Sequence, residues 1–170
     1  MRMTNFAGKT VGLMVASGFD EATFIAIQKA MLVANAKLKI ISSDAGLTNA
    51  WNKTGWGMSY PVDATLSTTL AVDYDALIIP QGDRHIEKLS TEVHAKRILR
   101  AFLRENMPVL ILAEAIKILD IVDMGYPEFV DGANIARSEN LAVTNTDDMV
   151  AGLDMLNEIM LDGQDESRAA

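Results

Sequence analysis

The chain has 170 residues, no cysteine, two histidines and a formal net charge of −8. This length is typical of one domain, and a hydrophobic content of 49% provides for a large aliphatic core. The missing cysteine excludes disulfides, thiolate metal sites and any cysteine nucleophile, and two histidines cannot build a three-histidine zinc site. The acidic balance argues against nucleic acid or an anionic membrane as a partner.

The first residues contain neither the apolar core nor the small-residue cleavage site of a signal peptide. No apolar run approaches the ~20 residues that a helix needs to cross a bilayer. We therefore expect a cytoplasmic protein.

The first third of the chain predicts a strand, a helix and a second strand. Residues 10–16 form a continuous apolar run, which is typical of a buried parallel strand. Asp20 is a predicted helix N-cap, with Phe19 and Phe24 spaced as a hydrophobic staple, and residues 21–36 have apolar side chains at helical spacing. Residues 38–42 predict the second strand. The glycine- and tryptophan-containing segment 44–61 predicts a loop or a short hairpin excursion.

The middle of the chain repeats this alternation. Residues 75–80 predict a third buried strand, followed by a loop over residues 81–87. Ser90 or Thr91 is expected to cap a helix that runs to Asn106. The inward side of this helix is expected to contain Ala95, Ile98, Leu99 and Phe102. Residues 108–112 predict a fourth strand.

The last third predicts a short helix from residue 113 to about residue 123, with Glu114, Lys117 and Asp120 toward solvent. Two short strands at 134–136 and 141–144 are separated by a turn, and a final helix begins near Met149. Residues 162–170 predict an acidic, flexible tail. Over residues 146–170, seven acids against the single base Arg168 give −6 of the total −8, which is typical of a solvated helix face and a solubilising tail.

The order of elements predicts an α/β protein with a parallel sheet and one domain over residues 1–161. In open sheets of this kind, sites form outside the carboxyl ends of the strands. Three junctions, at residues 17–21, 81–84 and 113–117, should therefore converge on one crevice. The chain contains no Gly-rich phosphate loop of the kind that binds nucleotides, so we expect no cofactor.

Several motifs carry a family resemblance. They are GKTVGLMVASGFDE at residues 8–21, VDYDALIIPQG at 72–82, FLRENMPVLILAEAIKIL at 102–119 and NLAVTN at 140–145. In this order and spacing they resemble the ThiJ/PfpI family of the class I glutamine amidotransferase-like superfamily, over residues 8–161. The resemblance implies a flavodoxin-like three-layer α/β/α sandwich with a mostly parallel central sheet, and commonly a homodimer.

The resemblance also places the family's active site. A carboxylate after the first strand corresponds to Asp20, or in some members to the position of Thr23. A Gly-Gly pair that supplies a backbone oxyanion donor corresponds to Gln81 and Gly82. The nucleophile elbow, usually Cys-His-Gly, corresponds to residues 113–115, which here are Ala-Glu-Ala.

An alanine at position 113 cannot attack carbon, so the family's protease, amidase and glyoxalase or deglycase chemistry is not expected. The substituted elbow is similar to the non-catalytic C-terminal domain of large-subunit catalases. We therefore expect a non-catalytic ThiJ/PfpI-like protein with a binding, assembly or stress-related role and a degenerate elbow at Ala113, Glu114 and Ala115. The crevice candidates are Asp20, Gln81 and Gly82, and we expect neither a metal nor a cofactor.

Two alternatives stay open. One is a hydrolase or lyase of small carbonyl or amide compounds that uses Asp20 and Glu114 as acid and base, with the Gly82 amide as a donor. For this pair, the simpler interpretation is that each carboxylate only stabilises a helix N-terminus. The other alternative is a chaperone-like module, a role that needs no thiol.

The remaining candidate residues each have a simpler interpretation. Ser17 has no histidine in a neighbouring motif and is a poor candidate nucleophile. His85 is expected in a solvated loop, with anion binding beside Arg84 as the alternative, and His94 on a helix surface. The cluster of Trp51, Trp56 and Tyr60 is either an interface, which would favour a homodimer, or a lid.

Overall fold

A computed structural model describes residues 4–122, 125, 127–129, 132–145 and 149–169, with Thr4 and residues 164–169 described by their backbone. The strands are β1 Thr10–Val15, β2 Phe19–Asp20, β3 Lys37–Ser42, β4 Leu47–Asn52, β5 Gly55–Pro61, β6 Ala64–Thr65, β7 Ala76–Ile79, β8 Val109–Leu112, β9 Ile135–Ser138 and β10 Leu141–Thr144. The helices are α1 Glu21–Val33, α2 Asp83–Ser90, α3 Val93–Arg104, α4 Lys117–Ile121 and α5 Met149–Ala169. Short 3-10 turns lie at Thr4–Phe6, Leu66–Thr68, Ala71–Asp73 and Ala113–Ile116.

The central sheet has seven strands in the order β6-β3-β1-β7-β8-β10-β9. Every pair in it is parallel except β9 with β10, which form an antiparallel hairpin at one edge. The predicted α/β fold with a mostly parallel sheet is confirmed. The edge hairpin of β9 and β10 also confirms the two late strands that were expected around a turn.

Both faces of the sheet are covered by helices. Alternate residues of β1 point to opposite faces, so Leu13 and Val15 join one apolar core and Met14 joins the other. The first core contains apolar side chains of α1 and α5, and the second contains those of α2, α3 and α4. Because both faces are buried, the strands are uniformly apolar, which is why they were recognisable in the sequence.

The start of α1 is built as its sequence predicts. The Asp20 carboxylate accepts the N–H of Thr23 at 3.0 Å, and the rings of Phe19 and Phe24 pack with centroids 4.7 Å apart. The helix ends at Val33, three residues before the expected end, because Asn35 adopts a left-handed φ of 60°.

Residues 44–61 form the hairpin that was one of the two expectations for this segment. Its strands β4 and β5 are antiparallel, and β4 also pairs with β2, so that a second, three-stranded sheet lies beside α1. Glu21 holds this sheet against α1, because its carboxylate accepts the Met58 N–H at 2.8 Å and the Tyr60 hydroxyl at 3.1 Å.

The prediction of a loop over residues 81–87 is wrong, because helix α2 begins at Asp83, immediately after Gly82. Ser90 and Thr91 do not cap the next helix, because their hydroxyls donate to carbonyls in the last turn of α2. Glu92 caps α3 instead, through the N–H of His94. The four residues expected on the inward side of α3 are all buried, as predicted.

Two other helix boundaries differ from expectation. The segment after β8 starts as a 3-10 turn, Ala113–Ile116, before α4; the predicted end near residue 123 lies outside the described residues. Helix α5 continues to Ala169 and includes most of the expected tail, because Gly163 alone does not interrupt it. Within the described part of the chain, no helix combines the length and apolarity that a membrane crossing requires.

Candidate functional site

The ends of β1, β7 and β8 open into one crevice of about 410 Å³. It is lined by Gly18, Asp20, Trp51, Lys53, Gln81, Gly82, Asp83, Arg84 and Glu114. All three junctions singled out in the sequence contribute to this lining. The hairpin adds Trp51 and Lys53, which sequence reasoning did not place at the site.

Two glycines bring the first two junctions into backbone contact. Gly18 and Gly82 adopt φ values of +108° and +140°, which side chains rarely permit. A Cβ atom on Gly82 would lie 2.7 Å from the Gly18 carbonyl oxygen and 2.8 Å from the Phe19 Cα. The Asp20 N–H donates to the Gln81 carbonyl at 3.0 Å, so the two loops form a continuous floor.

Ala113 occupies a strained turn between β8 and the helix. Its φ of +51° lies in the left-handed region, which costs a non-glycine residue roughly 1–2 kcal/mol. Its N–H donates to the Thr144 hydroxyl at 3.3 Å. The side chain that this turn presents is a methyl group, which has no nucleophilic, acidic or basic atom.

Glu114 does not extend into solvent as expected. Its carboxylate accepts the N–H of Gly82 at 2.9 Å, across the crevice from β8 to β7. The backbone donor that the sequence resemblance assigns to an oxyanion is therefore occupied by the chain's own carboxylate. Lys117 and Asp120 are exposed, in agreement with the prediction.

Asp20 and Glu114 line the same crevice, but each already accepts a backbone N–H, Asp20 from Thr23 and Glu114 from Gly82. Gln81 is buried, and its side-chain amide donates to the Thr23 hydroxyl at 2.6 Å. Within the described residues, no cluster of three or more histidine or carboxylate side chains is arranged to hold a metal ion.

The expectation that His85 lies in a solvated loop is wrong, and so is the alternative that it binds an anion. It faces inward from α2 and is fully buried; the Ala16 N–H donates to its Nδ1 at 3.2 Å, and its Nε2 lies against the Pro80 carbonyl. Burial lowers the pKa of this imidazole from 6.5 to about 4, so it is neutral near pH 7. Its Nε2 therefore carries the proton, and the ring links the ends of β1 and β7. The signal that sequence reasoning missed is the helical spacing of His85 with Leu89. His94 on α3 is half-buried.

Ser17 belongs to a hydrogen-bonded cluster centred on Asp44, which sequence reasoning missed. The Ser17 hydroxyl donates to the Asp44 carboxylate at 2.7 Å and accepts the Asn49 N–H at 3.1 Å. The Thr48 hydroxyl donates to the same carboxylate at 3.0 Å. These contacts tie the loop after β3 to the end of β1. Ser17 is buried and does not line the crevice, so its hydroxyl serves this cluster and is not presented to a substrate.

The three aromatic residues of the hairpin separate into two groups. Trp51 and Trp56 meet edge to face at 5.3 Å, and the Arg84 guanidinium lies 4.1 Å from the centroid of the Trp51 ring. Tyr60 instead packs against Phe24 at 4.5 Å. Burial raises the pKa of the Tyr60 phenol, and its hydrogen bond to Glu21 raises it further.

A family model described as the DJ-1/PfpI family matches residues 9–123. The chain belongs to the DJ-1/PfpI family. No curated protein matches it at the level of sequence.

Solved structures share the fold of this DJ-1/PfpI chain at low sequence identity. A two-domain protein from Anabaena variabilis with DJ-1/ThiJ/PfpI-like and ferritin-like domains has a TM-score of 0.73 at 17% identity, covering 92% of this chain. The chain spans about half of that protein (48%). A ThiJ/PfpI domain protein from Brachyspira murdochii has a TM-score of 0.71 at 16% identity, covering 91% of this chain and 95% of its own. Schizosaccharomyces pombe DJ-1 has a TM-score of 0.73 at 18% identity, covering 88% and 90%.

The family assignment identifies the strained turn at Ala113 with a known position of the family's sequence motif. Ala113 stands where the sequence resemblance places the family's cysteine, and its left-handed φ marks a strained strand-to-helix turn of the kind that nucleophile elbows use. The DJ-1/PfpI scaffold is thus present without a thiol anywhere in the chain.

Proposed function

We propose that this DJ-1/PfpI protein is a non-catalytic member whose crevice binds a ligand without transforming it. The observation that carries the proposal is the Glu114 carboxylate on the Gly82 N–H, beside a methyl group at position 113. Acyl-transfer chemistry needs an attacking atom and a donor that stabilises the developing oxyanion. The first is missing, and the second is engaged by a side chain of the same protein.

A turnover assay tests this proposal. Purified protein is offered a small α-oxoaldehyde and a small amide, and product is measured against a buffer blank. We expect no turnover above the blank. Turnover that survives stringent purification and disappears in the Asp20→Asn, Glu114→Gln double variant would contradict the proposal.

Restoring the thiol is the matched experiment. Ala113→Cys with Glu114→His supplies a nucleophile on the existing elbow and releases the Gly82 N–H. Ala113→Cys alone is the control, because there Glu114 still occupies that donor. Activity in the double variant, with less in the single one, would show that the crevice is otherwise suited to the family's chemistry.

Acid–base catalysis by Asp20 and Glu114 is the second candidate, and it is supported by the presence of both carboxylates in one crevice. It requires at least one carboxylate to leave its N–H partner when substrate binds. Turnover by the wild type that each of Asp20→Asn and Glu114→Gln abolishes separately would favour this candidate.

We also propose that the protein forms a homodimer and that the hairpin of residues 44–61 is the interface. The proposed location of this dimer is the cytoplasm. Trp51 and Tyr60 are engaged inside the protomer, so the apolar side chains left for a second copy are Leu47, Trp56 and Met58, which are 59%, 56% and 67% exposed. Sedimentation of the wild type and of a Met58→Glu variant tests this assembly. Equal masses at the value of one protomer would contradict it.

A further inference from the structure

The crevice is lined by three carboxylates, each with a hydrogen-bond or ion-pair partner in the protein, and by two cations that have neither among the described residues. Glu114 accepts the Gly82 N–H, Asp20 accepts the Thr23 N–H, and Asp83 lies 4.0 Å from the Lys117 ammonium. Lys53 and Arg84 also line the crevice. In the part of the chain that the structure describes, neither has a carboxylate oxygen within 4.0 Å. Backbone N–H groups are neutral, so Asp20 and Glu114 keep their negative charge, and three carboxylates against two cations give the lining a formal charge of −1. What the crevice offers an external carboxylate is therefore the N–H donors of Lys53 and Arg84, which no carboxylate of the described residues uses.

We propose that the crevice binds a small organic carboxylate, with Arg84 as the residue that recognises it and Lys53 as a second cation. This inference rests on the proposed binding function and adds the chemical class of the ligand. A planar guanidinium can form two parallel hydrogen bonds to a carboxylate, which a lysine ammonium cannot.

Arg84 is held in place before any ligand arrives. Its guanidinium lies 4.1 Å from the Trp51 ring centroid and 5.9 Å from that of Trp56, within the range of cation–π attraction. Its Cβ lies in the space that a side chain on Gly18 would need, so the backbone at residue 84 is closely packed as well. A side chain ordered in this way loses less conformational entropy on binding. Its N–H donors have no hydrogen-bond partner among the described residues.

The crevice also selects for size and charge. Its volume of about 410 Å³ suits a molecule of small-metabolite size, and the Trp51 ring offers an apolar wall for a short carbon chain. Asp20 and Glu114 lie in the same crevice and repel anions, and this repulsion grows with the charge of the ligand. A monoanionic carboxylate is therefore favoured over dianionic phosphate.

Trp51 lines the crevice, Trp56 packs edge to face against it, and the chain has no other tryptophan, so the fluorescence reports on this site and its immediate surroundings. The experiment titrates the full-length protein with sodium butyrate at constant ionic strength, with excitation selective for tryptophan. Butyramide is the neutral isostere, and inorganic phosphate is the comparison anion. Ligand-observed NMR follows the same titrations, so that a silent fluorescence signal is not mistaken for absent binding.

Three variants make the test specific to Arg84. Arg84→Gln removes both the positive charge and the planar guanidinium that can donate two parallel hydrogen bonds. Arg84→Lys keeps the charge but not the guanidinium. Arg100→Gln is the matched control, because it removes an exposed arginine of α3 that does not line the crevice. We expect saturable butyrate binding by the wild type and Arg100→Gln, roughly tenfold or more weaker binding by Arg84→Gln, and an intermediate affinity for Arg84→Lys.

The inference is overturned if the wild type shows no saturable response to butyrate, or if butyramide binds equally well. If Arg84→Gln bound butyrate as tightly as the wild type does, Arg84 would not be the residue that recognises the carboxylate, and the inference would fail. Phosphate binding as tight as butyrate would show a general anion site and overturn the carboxylate assignment. Catalytic turnover in the assays above would instead contradict the non-catalytic function and leave the butyrate result standing, so the two failures are distinguishable.

Discussion

His85 makes the stability of this protein sensitive to mild acid. The buried imidazole has a pKa of about 4, whereas a histidine of the unfolded chain titrates near 6.5. Because the folded state has the lower pKa, its stabilising contribution is complete above pH 6.5 and is lost as the pH falls toward 4. Protonation would also turn the Nδ1 acceptor into a donor facing the Ala16 N–H.

The magnitude follows from the gap between these two pKa values. At about 1.4 kcal/mol per pKa unit, the whole window corresponds to roughly 3 kcal/mol of unfolding free energy, of which about 2 kcal/mol is lost between pH 7 and pH 5. Ordinary carboxylates titrate mostly below pH 5, so this upper part of the window belongs chiefly to histidine.

Urea unfolding at pH 7, 6 and 5 measures this effect. His85→Asn keeps an acceptor near the position of Nδ1 but does not titrate, so its unfolding free energy should change by less than about 0.5 kcal/mol over the same interval. His94→Asn removes the other histidine and should retain the wild-type pH dependence. A wild-type free energy that is flat from pH 7 to pH 5, or a slope that disappears in His94→Asn, would refute the reasoning.

Three further predictions concern the backbone and the hairpin. Gly82→Ala should destabilise the fold by roughly 2–4 kcal/mol in urea unfolding, because its Cβ would meet backbone atoms of Gly18 and Phe19; Gly8→Ala, which also has a positive φ but open space around it, should cost only about 1 kcal/mol. Ala113→Gly should stabilise the protein by up to about 1 kcal/mol in the same assay, since it relieves the left-handed strain, and a loss of stability would show that the strain is absent. Glu21→Gln should shift the pKa of the Tyr60 phenol down toward its ordinary value of 10 in an ultraviolet titration, and an unchanged titration would contradict the contact.

The central sheet could be predicted because its strands are buried on both faces. Runs such as ALII in β7 and VLIL in β8 are apolar at every position, and that signal is local. The capping of α1 by Asp20 was predictable for the same reason, since it depends on residues within one helical turn.

Features that depend on distant residues were not predictable. Helix α2 has only eight residues and begins after Gly82, which has no side chain to act as a cap, so the segment resembled a loop. Because helix α2 was not predicted, His85 was expected in a solvated loop and not on the buried side of a helix. The contact between Arg84 and Trp51 joins helix α2 to strand β4 of the smaller sheet, and the contact between Glu114 and Gly82 crosses the crevice. Neither leaves a pattern in the local sequence.

The left-handed turn at Ala113 has a use that does not involve residue 113 itself. A relaxed backbone at the end of β8 would redirect the next residue, and the Glu114 carboxylate would lose its aim at the Gly82 N–H. The turn thus positions the Glu114 side chain so that it connects the end of β8 to the end of β7. A geometry that suits the presentation of a reactive atom serves here to hold two neighbouring loops at a set separation, and with them the width of the crevice.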